Sequence, residues 1–258
     1  MNKEVDWLLQ EKYHGEKTAV FLTDCARLEA GEPLSYLIGH LPFLDTTIYL
    51  DSRPLIPRSE TEYWVQQLAK EIDRNFNGVG ETEPRPLSIL DLCAGSGCIG
   101  VALAKSFPSA SVSFAEIDPA HLLTIKKNIE HNLAINLDSN HKPYQIIESD
   151  LFQSLPKDKR YHYIISNPPY IDPSVDRATA SVKTYEPHLA LYGGEVGLAL
   201  IAEILADAPN FLCNKGELWL EHEPEQTADI HRLAGAIYTV TTMKDQYALE
   251  RYSRLVLQ

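Results

Sequence analysis

From Leu87 to the C-terminus, short apolar runs alternate with segments of helical period, and few architectures accept that order. Residues 87–92, 111–116, 144–149 and 161–166 read as strands, and helices are expected over 98–107 and 119–133, the second with a proline at its start. A helix over 196–212, a strand over 217–221 and a helix over 226–236 follow. This alternation predicts an α/β fold: a doubly wound, largely parallel sheet with helices on both faces. Two successive strands, 237–243 and 252–257, predict an antiparallel edge pair. Upstream, a helical pattern over 5–30 is stopped by Gly31-Glu32-Pro33, residues 43–50 read as a short hairpin, and 60–73 as a helix with Trp64, Val65, Leu68 and Ile72 on one side. Residues 75–86, polar and rich in Gly and Pro, read as an exposed linker. The predicted division is therefore 1–40, a short helical segment; 41–86, hairpin, helix and linker; and 87–258, the ligand-binding α/β domain.

Charge narrows the partners. A formal net charge of −13 repels a phosphate backbone, so no direct nucleic-acid partner is expected. The four cysteines (Cys25, Cys93, Cys98 and Cys213) form no Cys-x-x-Cys pair, and no histidine cluster has zinc spacing, so neither a disulfide nor a metal is expected. Cys93 and Cys98 read as small buried fillers. With no signal peptide and no long apolar span, the expectation is a cytoplasmic, reduced monomer that does not enter a membrane.

Asp91-Leu92-Cys93-Ala94-Gly95-Ser96-Gly97 closes the first core strand and opens a helix. Gly95 to Gly100 matches G-x-G-x-x-G, and Glu116, at the end of the next strand, is placed to accept from two ribose hydroxyls. A dinucleotide and S-adenosylmethionine both fit those features. Two details favour the second. A carboxylate at Asp91 suits a cationic amino group and sits badly beside a pyrophosphate. Ser149-Asp150-Leu151-Phe152, after the third strand, can frame an adenine.

Asn167-Pro168-Pro169-Tyr170 ends the fourth strand. Two prolines in succession cannot donate to a sheet ladder and fix their own backbone, so the chain forms a stiff corner. It presents an amide, carbonyls and a ring together, which suits gripping a flat, uncharged NH2 group. In an open α/β sheet this corner and the glycine loop share one crevice.

These residues, taken in order, resemble the HemK/PrmC-type methyltransferases, which methylate the side-chain amide of glutamine in class-1 peptide release factors. Gly31 to Gly39 is similar to the family's entry segment, and Leu55-Ile56-Pro57-Arg58-Ser59-Glu60-Thr61-Glu62 to its "IPR-x-(E/D)-TE" motif. Asp91 to Gly97, Glu116, Asp150 to Phe152 and Ser166 to Ile171 follow, then Tyr185 to Gly194, similar to "EP-x-LAL-x-GG", and a late core strand over 217–221. The resemblance implies a class I S-adenosylmethionine-dependent methyltransferase fold. It implies S-adenosyl-L-methionine held by Asp91, Cys93, Ala94, Gly95, Gly97, Glu116, Ile117, Asp150, Leu151 and Asn167, with S-adenosyl-L-homocysteine as product. Asn167, Pro168, Pro169 and Tyr170 would be catalytic: Asn167 Oδ1 and the Pro168 carbonyl accept the two amide hydrogens, Tyr170 packs on the amide, and positioning replaces a strong base. Pro57, Arg58 and Glu186 are expected to position substrate; His188 and His222 are expected to be structural or exposed.

Departures are also visible. Only about thirty residues precede Gly31, so most of the family's N-terminal helical bundle is expected to be missing. Val196 stands where an acid is common, and Glu221-His222-Glu223 replaces a Glu-Ile-Gly-like run. Competing readings are a glutamine methyltransferase of a ribosomal protein, a methyltransferase of the adenine exocyclic amine in DNA or RNA, a non-catalytic cofactor-binding scaffold and a nicotinamide oxidoreductase.

Overall fold

The computed structural model describes residues 3–77, 87–134, 143–175 and 177–258. The chain begins with two helices rather than the one expected, α1 (Lys3–Glu11) and α2 (Ala19–Glu29). The break falls where His14 and Gly15 take positive φ, 51° and 89°. Thr18 then caps α2, its hydroxyl accepting from the Phe21 amide at 3.1 Å. A short α3 (Leu34–Ile38), absent from the sequence pattern, packs Leu37 with Leu8, Leu9 and Phe21 in a cluster of its own. The hairpin is β1 (His40–Phe43) and β2 (Thr46–Tyr49). α4 (Ser59–Asn77) buries Trp64, Val65, Leu68 and Ile72 as expected but runs on through 75–77. The rest of the expected linker, 78–86, lies outside the described residues.

Then follow β3 (Ser88–Leu92), α5 (Cys98–Ser106), β4 (Ser111–Glu116), α6 (Pro119–Leu133), β5 (Tyr144–Glu148), β6 (Tyr161–Ser166), α7 (Ala180–Tyr185), α8 (Ala199–Asp207), β7 (Leu212–Glu221), α9 (Thr227–Ala234), β8 (Tyr238–Lys244) and β9 (Glu250–Leu257). The sheet order is β5-β4-β3-β6-β7-β9-β8. The first five strands are parallel, and β9 runs antiparallel to both β7 and β8, which is the expected edge pair. Successive strand residues serve opposite faces. Ile89 joins Val101, Phe114 and Ile125 on the α4–α5–α6 side. Leu90 and Leu92 join Ile164, Ile201, Ile204 and Leu220 on the α8–α9 side. Burial on both faces is why these strands are near-continuous apolar runs.

The larger differences from the sequence reading lie between β6 and β7. α8 covers only part of 196–212, because Val196 and Gly197 take positive φ (53° and 67°) and Pro209 stops the helix. β7 begins five residues before 217, because Lys215 (φ 58°) and Gly216 form a bulge within the strand. Across it the register moves from Tyr161↔Leu212 to Tyr163↔Glu217. α7, too short to show a period, was not foreseen.

The hairpin is fastened to α6 by two side-chain amides acting as peptide groups. Asn128 accepts from the Tyr49 amide at 2.8 Å and donates to the Tyr49 carbonyl at 3.1 Å. Asn132 repeats this on Thr47 at 2.9 and 2.8 Å. Asn128 Nδ2 also reaches the Ser96 carbonyl at 2.9 Å, tying hairpin and helix to the glycine loop.

Candidate active site

β3 continues to β4 on one side and has β6 on the other, so strand order reverses between β3 and β6. The crevice outside their carboxyl ends is where an open α/β sheet binds ligands. Gly95 stands there at φ 56° with nothing within 4 Å of where a Cβ would be, so its main chain is open to a ligand. Its amide donates to Glu116 Oε2 at 2.7 Å, and Glu116 Oε1 accepts from the Asp118 amide at 2.9 Å. The carboxylate at the end of β4 is thus pinned at the loop's edge.

One pocket gathers Cys93, Ala94, Gly95, Glu116, Ile117, Asp150, Leu151, Asn167 and Pro169 with Pro57 and His121. Its charged lining residues are Glu116, Asp118 and Asp150, with neither Lys nor Arg. Such a wall suits a cationic ligand and offers nothing to a pyrophosphate. Ile117 is 43% exposed and, with Leu151, presents an apolar surface for a flat ring. Burial pushes the Cys93 thiol up to about 12, so Cys93 is a wall and not a nucleophile. Among the described residues no cluster of His, Cys, Asp and Glu can hold a metal ion.

Asp91 requires a correction. Its carboxyl points beneath the loop, 1% exposed, and accepts from the Gly100 amide at 2.8 Å. Burial, opposed by that hydrogen bond and aided by Glu116, raises it to about 8. It therefore fastens the start of α5 and does not line the pocket. Gly97, at φ 76°, is the N-cap of that helix and is likewise off the wall.

An adjoining pocket is lined by Leu55, Arg58, Asn167, Pro168, Tyr170, Ala190 and Glu223, among others. The two pockets share Leu55, Asn167 and Ala190. Consecutive residues divide between them: Pro57 and Pro169 face the first, Arg58 and Pro168 the second. Asn167 stands at the junction, its Nδ2 donating to Thr61 Oγ1 at 3.3 Å. Thr61 donates to Glu221 Oε2 at 2.7 Å, Trp64 Nε1 to the same oxygen at 2.6 Å, and the Tyr170 hydroxyl to Glu221 Oε1 at 3.0 Å. Burial raises the pKa of Glu221 against these three donors.

Arg58 and Glu186 hold each other. Arg58 Nη2 donates to Glu186 Oε1 at 2.6 Å, and the Ile56 amide to Oε2 at 3.1 Å. The buried carboxylate clamps the 55–58 segment to the 186–190 segment, the two walls that bring Leu55 and Ala190 to the junction. Behind the corner, the Gly193–Gly197 turn packs main chain against main chain. A Cβ on Gly193 would lie 2.5 Å from the Pro169 carbonyl oxygen, and one on Gly197 would overlap that of Tyr170. Gln226 Nε2 closes this contact, donating to the carbonyls of Tyr170 (2.9 Å), Gly197 (3.1 Å) and Val196 (3.2 Å). His222 is buried and structural, its Nδ1 on the Glu223 carbonyl at 2.9 Å and Nε2 on Ser253 Oγ at 2.8 Å. His188 lies at the surface and reaches the Lys183 carbonyl at 2.9 Å.

The sequence reading gave Thr61, Glu221 and Gln226 no role in the site. One signal existed: an acid ending the apolar run Leu218-Trp219-Leu220, which is costly unless several donors converge on it.

Comparison with known proteins gives the family and the fold. Residues 78–184 match the family model "Methyltransferase small domain". The release factor glutamine methyltransferase of Streptococcus pneumoniae is 34% identical over 250 residues, 94% of this chain and 82% of that one. The enzyme of the same name from Lactococcus lactis is 33% identical over 225 residues, 86% of this chain and 75% of that one. Among solved structures, the catalytic domain of hMettl16 in complex with an RNA hairpin superposes with a TM-score of 0.56 at 17% identity, covering 83% of this chain and 75% of that one. That likeness is one of fold. By its sequence relatives, the chain belongs to the release factor glutamine methyltransferase family.

Proposed function

We propose that this protein transfers a methyl group from S-adenosylmethionine to the side-chain amide nitrogen of a glutamine, the one in the Gly-Gly-Gln loop of a class-1 peptide chain release factor. The observation that carries the reading is Asn167 at the junction of two pockets, one with an acidic wall, the other bordered by the proline corner. Ala94, Gly95, Glu116, Ile117, Asp150 and Leu151 would hold the cofactor. When bound, it supplies an electrophilic methyl on a positively charged sulfur. Asp118, Glu116 and Asp150 favour that charge before transfer.

An amide nitrogen is a poor nucleophile because its lone pair is delocalised. The work of the residues is therefore orientation. Asn167 Oδ1 and the Pro168 carbonyl accept the two N–H bonds and aim the lone pair. Tyr170, held by Glu221, forms a flat wall beside the amide. No histidine is needed as a base, since the proton is lost only after the nitrogen has been methylated. Nucleic acid is a poorer fit: the arginines of the second pocket, Arg58 and Arg177, are paired with Glu186 at 2.6 Å and Glu225 at 2.5 Å.

The division into 1–40, 41–86 and 87–258 belongs to this proposal, with the N-terminal helices beside the substrate entrance. The turn between α2 and α3 contacts α7, where Ser181 donates to the Gly31 carbonyl at 2.6 Å, and α7 contributes Val182 to the second pocket. No helix among the described residues is long and apolar enough to cross a membrane; we assign the protein to the cytoplasm as a monomer. Incubation with labelled S-adenosylmethionine and the matching release factor, followed by mass spectrometry, should find a single methyl on the Gly-Gly-Gln glutamine. Label on a ribosomal protein or on nucleic acid instead would overturn the assignment.

A further inference from the structure

We propose that Thr61 and Glu221 set which way round the Asn167 side-chain amide sits, and are positioning residues for the transfer. The inference rests on the amide-methylation reading above. It begins at Trp64, whose indole N–H can only donate, so Glu221 Oε2 is an acceptor. Thr61 Oγ1 lies 2.7 Å from the same oxygen, and its hydrogen must go there. Thr61 is then left with lone pairs alone toward Asn167, so the group facing it at 3.3 Å is the NH2. Asn167 Oδ1 is thereby turned away from Thr61, as an acceptor.

The reversed amide would set Oδ1 against the lone pairs of Thr61. It would also present an NH2 to the substrate's NH2, so the grip would be lost at both ends. Thr61 and Glu221 are each 1% exposed, which keeps water from substituting for either. A proton taken up by Glu221 would go to Oε1, the oxygen with a single donor, and the sense of the relay is the same. The device spans α4, the end of β7 and the corner after β6, three parts of the chain that meet only when the fold is complete.

The test compares Thr61→Val, Thr61→Ser, Glu221→Gln and Glu221→Met with the unaltered protein. Three quantities are read: kcat and KM for methylation of a Gly-Gly-Gln release factor; the Kd of S-adenosylmethionine; and hydrogen-exchange protection of the Asn167 side-chain NH2 by NMR with S-adenosylhomocysteine bound. Thr61→Val and Glu221→Met should lower kcat about tenfold or more with cofactor Kd changed less than about twofold, and should lose the NH2 protection. Thr61→Ser keeps the hydroxyl. Glu221→Gln keeps a carbonyl oxygen for Trp64 and Thr61, while its amide donates to Tyr170. Both should recover kcat to within about threefold.

The relay is wrong if folded Thr61→Val retains kcat and NH2 protection, or if Thr61→Ser falls as far as Thr61→Val. Should Thr61→Val not fold, the Ser and Gln variants decide on the same two readouts. A wild-type protein that puts no methyl on glutamine would overturn the proposed function, and the NH2 protection would still judge the relay.

Discussion

Gly197→Ala tests how the proline corner is held. Gly197 sits at φ 67°, where an L side chain strains the backbone by about 1–2 kcal/mol. Its new Cβ would overlap the Tyr170 carbonyl oxygen and lie 2.6 Å from Gln226 Nε2. The first is main chain and cannot swing aside, so overpacking of about 1–3 kcal/mol adds to the strain. The loss of unfolded-state freedom on replacing Gly returns about 0.5 kcal/mol. The net is roughly 2–4 kcal/mol, or a fall in Tm of roughly 5–15 °C for a chain of this size. Relief by moving Tyr170 displaces Asn167, three residues away, and a shift near 1 Å costs on the order of 100-fold in kcat. Gly31→Ala is the control: φ is 93° with nothing within 4 Å of the Cβ, so it carries the strain without the overlap. With the same return it should cost only about 0.5–1.5 kcal/mol and leave kcat alone. Thermal unfolding and single-turnover methyl transfer read both effects. If Gly197→Ala matches Gly31→Ala in both, the close packing behind the corner is not what positions it.

Asn167→Ala should lower kcat on the order of 100-fold or more while calorimetry finds cofactor affinity near normal; activity within a few-fold of wild type would contradict the amide grip. Arg58→Ala leaves the buried Glu186 carboxylate with the Ile56 amide, and should cost about 1–3 kcal/mol in chemical denaturation. Arg58→Lys should restore only part of it, because one ammonium cannot copy the guanidinium's reach. Burial pushes His222 down to about 4. The folded state then binds fewer protons than the unfolded one between the usual histidine value of about 6.5 and 4, so stability is lost as pH falls through that window. The loss is at most about 3 kcal/mol, and urea titrations at neutral and acid pH should find it reduced in His222→Gln. Equal slopes for the two proteins would mean that His222 does not titrate in this range.

What could be read in advance, and what could not, follows from how far apart the interacting residues lie. The glycine loop, the strand-end acids and the proline corner are local: each is a short run whose backbone chemistry is set by its own residues, and their shared crevice follows from the parallel order. The strand β6 and the helix α6 matched their expected limits for the same reason. The strand expected over 217–221 starts too late because the bulge inside β7, at Lys215 and Gly216, uses residue types common in turns. The Arg58–Glu186 clamp spans 128 residues and the Thr61–Glu221 bond 160, so no pattern within a window could reveal either. Asp91 misled because its position at the strand end is local but the direction of its side chain is not. Whether it faces ligand or helix depends on Gly100 admitting it.

The junction at Leu55, Asn167 and Ala190 has a thermodynamic consequence. Any displacement of these three residues by one ligand is felt by the other, and linkage makes that influence equal in both directions. Under the proposed function, the affinity of the protein substrate would depend on whether methyl donor or spent donor is bound, by the factor with which substrate distinguishes those two in return. A side chain enlarged at Ala190 would act on both affinities at once.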